Sequence, residues 1–423
     1  MIEKLNDNFA LKNGGYSNSE DTTTMPRHRW YYYKEGFSPN LVEKAIEHSR
    51  ISKGDLIIDP FNGGGTTTLT SSLLGHKALG IEVNPFTSFL SEAKIINANI
   101  SDLNKIESNL LKSVEKGALS PLLRFSTFSQ KQDINKWLFN DSILNSFEAG
   151  WQYTNNISGY NTRKLSRLAL ISSAMQNGNA KRDGKCLRYR ESWDKNNYNK
   201  DTFIESLILN LSNIKDDIKD KPIHSKSIIL NGDCRNILET SNDLNNFKLC
   251  VTSPPYLNTF DYTDIYRPEL FLGKFIQSSQ MLYDLRLETV RSHVQAKWKV
   301  PTTSDFGSLY EQTIKHINDN RENLMHKNIP MMIQAYFEDM LIILKLLKSK
   351  AAKDAQVWFV VSNSAYAGLE VPVDLIIGDL ASKAGWFLKE IGVLRYVKKR
   401  KTKYSPDIAV LRESVIILSN SKF

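Results

Sequence analysis

Leu56-Ile57-Ile58-Asp59-Pro60-Phe61-Asn62-Gly63-Gly64-Gly65-Thr66-Thr67 is the stretch that decides the fold. Its first four residues are a short apolar run ending in a carboxylate, Pro60 stops that run, and the glycines lead into a helical pattern through Leu69, Leu73 and Leu74. Strand, glycine turn and helix in that order open a βαβ unit. Glycine lets a ligand approach the backbone, and the helix N-terminus favours carboxylate or phosphate. Further on, Ala78-Leu79-Gly80-Ile81-Glu82 reads as the next strand, again ending in an acid, which is placed to accept from ribose hydroxyls. Alone, Glu82 is as easily a solvated strand end; with the glycine turn it describes a nucleoside pocket.

Working outward, seven strands are expected: Leu56–Asp59, Ala78–Glu82, Ser227–Leu230, Lys248–Thr252, Gln356–Val361, Ile391–Val397 and Val415–Leu418. Helical patterns at Leu41–Ser49, Thr67–Leu74, Ile333–Leu347 and Val373–Ala384 separate most of them, so the fold class is α/β with a doubly wound sheet. Residues 1–25, rich in Asn, Ser and Thr, read as a mobile arm. The core spans 26–100 and 225–423, and 101–224 is a large insertion between the second and third strands.

Thr252-Ser253-Pro254-Pro255-Tyr256, after the apolar run Phe247-Lys248-Leu249-Cys250-Val251, reads as a catalytic loop at a strand end. Two prolines remove two donors and fix two φ angles, leaving carbonyls free to face a pocket. A Ser hydroxyl and a Pro carbonyl can take both hydrogens of an exocyclic amine, and a Tyr ring offers a face for stacking. An isolated Pro-Pro-Tyr is more often an ordinary turn.

Together, Asp59-Pro60-Phe61 with Gly63, Gly65, Thr66 and Thr67, then Gly80 to Pro85, then Thr252 to Tyr256, resemble the amino-group DNA methyltransferases. The resemblance covers most of the chain, including Arg27–Tyr31 with Phe37 before the glycine turn, Asn231–Arg235 after the third strand and Leu411–Leu418 at the close. It implies a Rossmann-like class I sheet whose last strand is antiparallel, and S-adenosylmethionine as cofactor. The catalytic residues it implies are Ser253, Pro254, Pro255 and Tyr256. The implied cofactor contacts are Phe37, Asp59, Pro60, Phe61, Gly63, Gly65, Thr66, Glu82 and Asp233. The Ser-Pro-Pro-Tyr form points to N4 of cytosine in a flipped base, with N6-adenine the alternative. An RNA amino-methyltransferase, a protein glutamine methyltransferase and a non-catalytic DNA-binding subunit are the other readings. Here the cofactor loop precedes the catalytic loop, an order resembling a circularly permuted arrangement. The implied partners are double-stranded DNA and a cognate restriction endonuclease or defence-system subunit.

The chain has 423 residues, 41% of them hydrophobic, enough for one large domain with inserted material. No apolar run approaches the length of a membrane span and the first residues lack a signal-peptide pattern, so a cytoplasmic protein without membrane contact is expected. The three cysteines, Cys186, Cys234 and Cys250, show no metal-ligand spacing, and no metal is expected. None follows a proline, which argues against C5-cytosine chemistry through a thiolate.

Net charge is +9, and residues 155–200 carry ten basic residues against three acidic ones, interleaved with Tyr160, Tyr189, Trp193 and Tyr198. This is the pattern of a phosphate-facing surface. Arg182, Lys185, Arg188 and Arg190 within it, and Lys398 and Arg400 in a late basic cluster, are the expected DNA contacts. Residues 274–330, with Arg286, Arg291, His293 and Trp298, form a second candidate recognition region.

Overall fold

The computed structural model describes residues 2–10, 19–123, 136–183, 186–398, 404 and 407–422. Among them the strands are β1 (Leu5–Asn6), β2 (Leu56–Asp59), β3 (Lys77–Glu82), β4 (Ala180–Asp183), β5 (Cys186–Tyr189), β6 (Ile228–Asn231), β7 (Phe247–Thr252), β8 (Ala351–Ser362), β9 (Ser364–Tyr366), β10 (Leu369–Val371), β11 (Phe387–Lys398) and β12 (Val410–Ser419). Eight of them form one sheet in the order β1-β11-β12-β8-β7-β2-β3-β6. β12 is antiparallel to both neighbours, and the other adjacent pairs are parallel. The seven expected strands are present, β8, β11 and β12 running longer than expected.

The eighth strand corrects the mobile-arm reading for the described residues 2–10. Leu5 and Asn6 pair with Ile391 and Gly392, and the buried Phe9 ring lies on Gly392, where a Cβ would come within 2.4 Å of it. A polar composition hid one aromatic residue with a glycine-floored slot, and the strand it anchors covers the open edge of β11.

Period-two alternation explains the layers. Ile57, Leu249, Val251, Trp358 and Val360 face the helix Pro39–His48, whereas Ile58, Cys250, Val357, Phe359 and Val361 face the helices Ile329–Lys350 and Val373–Lys383. The central strands are therefore apolar on both faces, as a doubly wound sheet requires. Helix Pro39–His48 begins where the Ser38 side chain accepts from the Asn40 N–H and Pro39 occupies the first turn.

The insertion is helical. Ile100–Lys116, Asp141–Thr154, Tyr160–Gln176 and Lys200–Asp220 share a core that includes Leu110, Phe147, Leu168 and Phe203. That core continues into Phe86 and Leu90 of helix Pro85–Ile95 and into Tyr266 and Leu270, downstream of β7. The β4–β5 hairpin projects from it and packs against helix Tyr262–Ile265.

One consequence of strand order positions the site. From β2 the chain runs outward through β3 and β6, then returns to β7 on the other side of β2. The carboxyl ends of β2 and β7 thus flank a topological switch point, where open α/β sheets form their ligand crevice.

Candidate active site

A cavity of about 370 Å³ opens at that switch point, within the size range of small-molecule sites. Phe37, Asp59, Pro60, Phe61, Gly63, Thr66, Glu82, Asp233, Ser253, Pro254, Pro255 and Tyr256 all line it. Twelve of the thirteen expected catalytic and cofactor residues, drawn from Phe37 to Tyr256 along the chain, therefore share one space. Gly65 is the exception.

The glycine loop is shaped mainly by the protein itself. Gly65 has φ +85°, and a Cβ there would meet Ser91 Cβ at 2.8 Å. Its need for glycine therefore comes from a left-handed backbone and helix packing, not from a ligand, which corrects the sequence expectation. A Cβ on Gly64 would lie 2.6 Å from Tyr33, whose ring covers the loop. Lys94, buried in helix Pro85–Ile95, donates from Nζ to the Gly64 carbonyl at 3.2 Å, and burial lowers its pKa to about 7.

Glu82 ends β3 in the pocket. Its Oε2 accepts from the Gly63 N–H at 2.7 Å and its Oε1 from the Asn84 N–H at 2.9 Å. Burial raises its carboxyl pKa, and the two backbone donors oppose that rise. A carboxylate can accept about four hydrogen bonds, so these donors leave acceptor capacity for a diol. Asp233 lines the same cavity but already caps helix Cys234–Thr240 through Arg235 N at 2.9 Å and takes the Arg235 guanidinium at 2.8 Å.

The catalytic loop is fastened on three sides. Thr252 Oγ1 donates to Asp59 Oδ1 at 2.6 Å, and Thr67 Oγ1 donates to the Val251 carbonyl at 2.9 Å. Asp59 is 1% exposed, and burial pushes its pKa up to about 7. The Leu257 carbonyl accepts from Tyr366 Oη at 3.0 Å and from Ser364 Oγ, both on the β9–β10 hairpin. Ser253 Oγ donates to Tyr256 Oη at 3.4 Å, Tyr256 donates to Glu413 Oε1 at 2.7 Å, and Arg395 Nε donates to Glu413 Oε2 at 2.6 Å. Burial, then the Glu413 charge, push the Tyr256 pKa well up.

Sequence reasoning missed Glu413, Arg395, Tyr33 and Tyr366 as parts of this site. Glu413 and Arg395 carry a weak signal, since a charged pair at one register of two core strands needs a local reason. Asp261 caps the helix Tyr262–Ile265, accepting from Thr263 N at 3.0 Å, and also accepts from Arg286 Nε at 2.6 Å, and Tyr262 lines the cavity.

The basic segment is not one surface. Arg182, expected on DNA, is turned inward: its guanidinium pairs with Glu269, which is fully buried, donates to Tyr31 Oη at 2.9 Å and lies 4.3 Å over the Tyr266 ring. Lys164 is likewise buried against Glu92. An alternation of basic and aromatic residues in sequence served a buried ion pair and its cation–π partners here. Arg188 is exposed beside Asp183, Arg190 is half-buried with Nε on the Gly178 carbonyl at 2.9 Å, and Lys398 is exposed at the end of β11. Lys185 and Arg400 lie outside the described residues. In the second candidate region, Arg291 is buried on Asp339 and Glu338, and Arg286 is paired with Asp261.

The DNA methylase family N6_N4_Mtase matches residues 3–91, the part that carries the glycine loop and Glu82. The type II methyltransferase M.BsoBI of Geobacillus stearothermophilus is 29% identical over 92% of this chain and 85% of its own length. The type II methyltransferase M.AvaI of Nostoc sp. is 27% identical over 88% of this chain and 81% of its own. Among solved structures, the rRNA methyltransferase aviRa of Streptomyces viridochromogenes aligns over 96% of this chain and 87% of its own at 10% identity with a TM-score of 0.30, and the fold is read from the sheet order alone.

The methyl donor is S-adenosylmethionine, and the residues present fit it: Glu82 is pre-oriented by two backbone donors with lone pairs left for a ribose diol, and Phe37 and Phe61 supply apolar walls beside it. Motif order, sheet order and these matches make the chain similar to the amino-group DNA methyltransferases, which include both N4-cytosine and N6-adenine enzymes.

Proposed function

We propose that the protein is a site-specific DNA methyltransferase acting on the exocyclic amine of a flipped base, N4 of cytosine, as the modification enzyme of a restriction–modification or defence system. The observation that carries this reading is the meeting of the Ser253–Tyr256 loop and the Glu82 carboxylate in one cavity, with β7 tied through Thr252 to Asp59 of β2, the strand between it and β3. The two relatives named type II methyltransferases, aligned over most of their lengths, support DNA as the substrate.

When bound, S-adenosylmethionine supplies a methyl group on a positively charged sulfur. The amine nitrogen is a poor nucleophile because its lone pair is delocalised into the base ring. Ser253 donates its own hydrogen to Tyr256, so its oxygen lone pairs are left to accept one amine hydrogen, and the Pro254 carbonyl takes the other. Drawing both hydrogens pulls the nitrogen toward tetrahedral geometry, a gain made of positioning and electrostatic stabilisation. The Tyr256 ring provides the stacking face for a base taken out of the duplex.

Glu82 would hold the ribose diol, Asp59 the methionine ammonium, and Phe37 and Phe61 the adenine. Asp233 would meet the adenine amine through whatever acceptor capacity Arg235 leaves it. Exposed Arg188, together with Arg190 and Lys398, would hold phosphates. Incubation with methyl-labelled cofactor and separate DNA, RNA and protein pools tests the substrate class: label in DNA alone supports the reading, and label in RNA or protein alone refutes it.

A further inference from the structure

We propose that Glu413 receives the proton leaving the methylated nitrogen, through a relay of Ser253 and Tyr256; this rests on the amine reading above. Ser253 is a neutral hydroxyl, able to accept a hydrogen bond but not to keep a proton. A loop that presents a hydroxyl to the amine therefore needs an exit beyond it.

The exit is laid out in one direction. Ser253 donates to Tyr256 at 3.4 Å, and Tyr256 donates to Glu413 at 2.7 Å. The first link is long, as catalytic hydrogen bonds often are before substrate binds. Glu413 has no hydrogen of its own to give while it is a carboxylate, so it ends the chain as an acceptor. Its side chain is only 4% exposed, and Arg395 on its second oxygen offsets the cost of a buried charge. Among the described residues the ionisable groups facing it are Tyr256, Tyr262 and Arg395.

The step balances. The nitrogen lone pair becomes the new N–C bond while the methyl–sulfur bond breaks with its electron pair left on sulfur. The nitrogen then carries a positive charge and one hydrogen too many. One N–H bond breaks with its pair returned to nitrogen, and that proton moves to Ser253 as the Ser253 proton moves to Tyr256 and the Tyr256 proton moves to Glu413. The products are a neutral methylamino base and a neutral carboxylic acid, with no free alkoxide or phenolate. Concerted transfer suits a tyrosine whose phenolate is disfavoured by burial and by the adjacent carboxylate.

Glu413→Gln and Tyr256→Phe test the relay, the second keeping the stacking ring while removing the hydroxyl. Single-turnover methylation of target DNA would be compared with wild type across pH, alongside calorimetric affinity for S-adenosylhomocysteine. Both variants should keep that affinity and lose about a hundredfold in rate, the usual scale of positioned proton transfer. Either variant methylating within about threefold of wild type overturns the relay. If Glu413→Gln fails to fold, the rate of Tyr256→Phe decides. A wild type that methylates no base overturns the amine reading and the relay with it.

Discussion

Thr252 Oγ1 lies 2.6 Å from Asp59 Oδ1, so the strand that ends in the cofactor loop and the strand that ends in the catalytic loop are bonded at their last residues. Loops far apart in the chain are thereby held to one geometry, the condition for bringing a methyl donor and an amine within reach. If Ser253 accepts an amine hydrogen in that geometry, Ser253→Ala should lower the methylation rate by roughly 2–4 kcal/mol of barrier, the scale of deleting one aligned hydrogen-bonding group. Affinity for S-adenosylhomocysteine should stay near wild type. Full activity in the variant would remove the role assigned to the hydroxyl.

Glu82 bonds the Gly63 and Asn84 backbones as well as facing the cavity. Glu82→Ala should weaken S-adenosylhomocysteine binding by roughly 1–3 kcal/mol through lost charge-assisted bonds. Calorimetry at fixed pH measures this, and unchanged affinity would move the ribose elsewhere.

Arg182 and Arg188 sit on the two paired strands of one hairpin and should behave differently. Arg182→Met leaves the Glu269 carboxylate buried without its cation and should destabilise the fold by about 3–5 kcal/mol in denaturant titration. Arg188→Gln should leave stability unchanged and flatten the log–log salt dependence of DNA binding by about 0.9 if it meets one phosphate. A salt slope unchanged in a combined Arg188, Arg190 and Lys398 variant would make this face a solvated one.

Lys94 gives a pH signature. Its pKa falls from 10.5 to about 7 on burial, so between those values the unfolded chain binds a proton that the folded chain does not. Stability then rises with pH across that window. The stability difference between wild type and Lys94→Met should shift toward wild type by about 1–3 kcal/mol from pH 7 to pH 9. An equal difference at both pH values would mean that Lys94 stays charged in the folded protein.

The sheet was legible because its central strands are short apolar runs, each closed by a chemically marked residue: Asp59, Glu82 and the Ser253 loop. Strand β1 was not, since two polar-flanked residues carry no periodicity and only the slot on Gly392 makes Phe9 an anchor. That the residues expected to bind cofactor and to catalyse would share one cavity was legible because strand-end placement alone sends them to the switch point. Glu413 and Arg395 were missed because their meaning lies in a cross-strand register, Arg395 opposite Glu413, which the linear chain does not display. Arg182 misled for a related reason: charge density in sequence does not say which guanidiniums turn inward to a buried carboxylate.

The central claim is tested most directly by the chemical identity of the product. DNA carrying the target site, incubated with the protein and S-adenosylmethionine and digested to nucleosides, should yield N4-methyldeoxycytidine by mass spectrometry, and far less at matched times with Ser253→Ala. N6-methyldeoxyadenosine instead would contradict the choice of base, and no methylated nucleoside from any DNA would contradict the account of this cavity as an amine-methylating site.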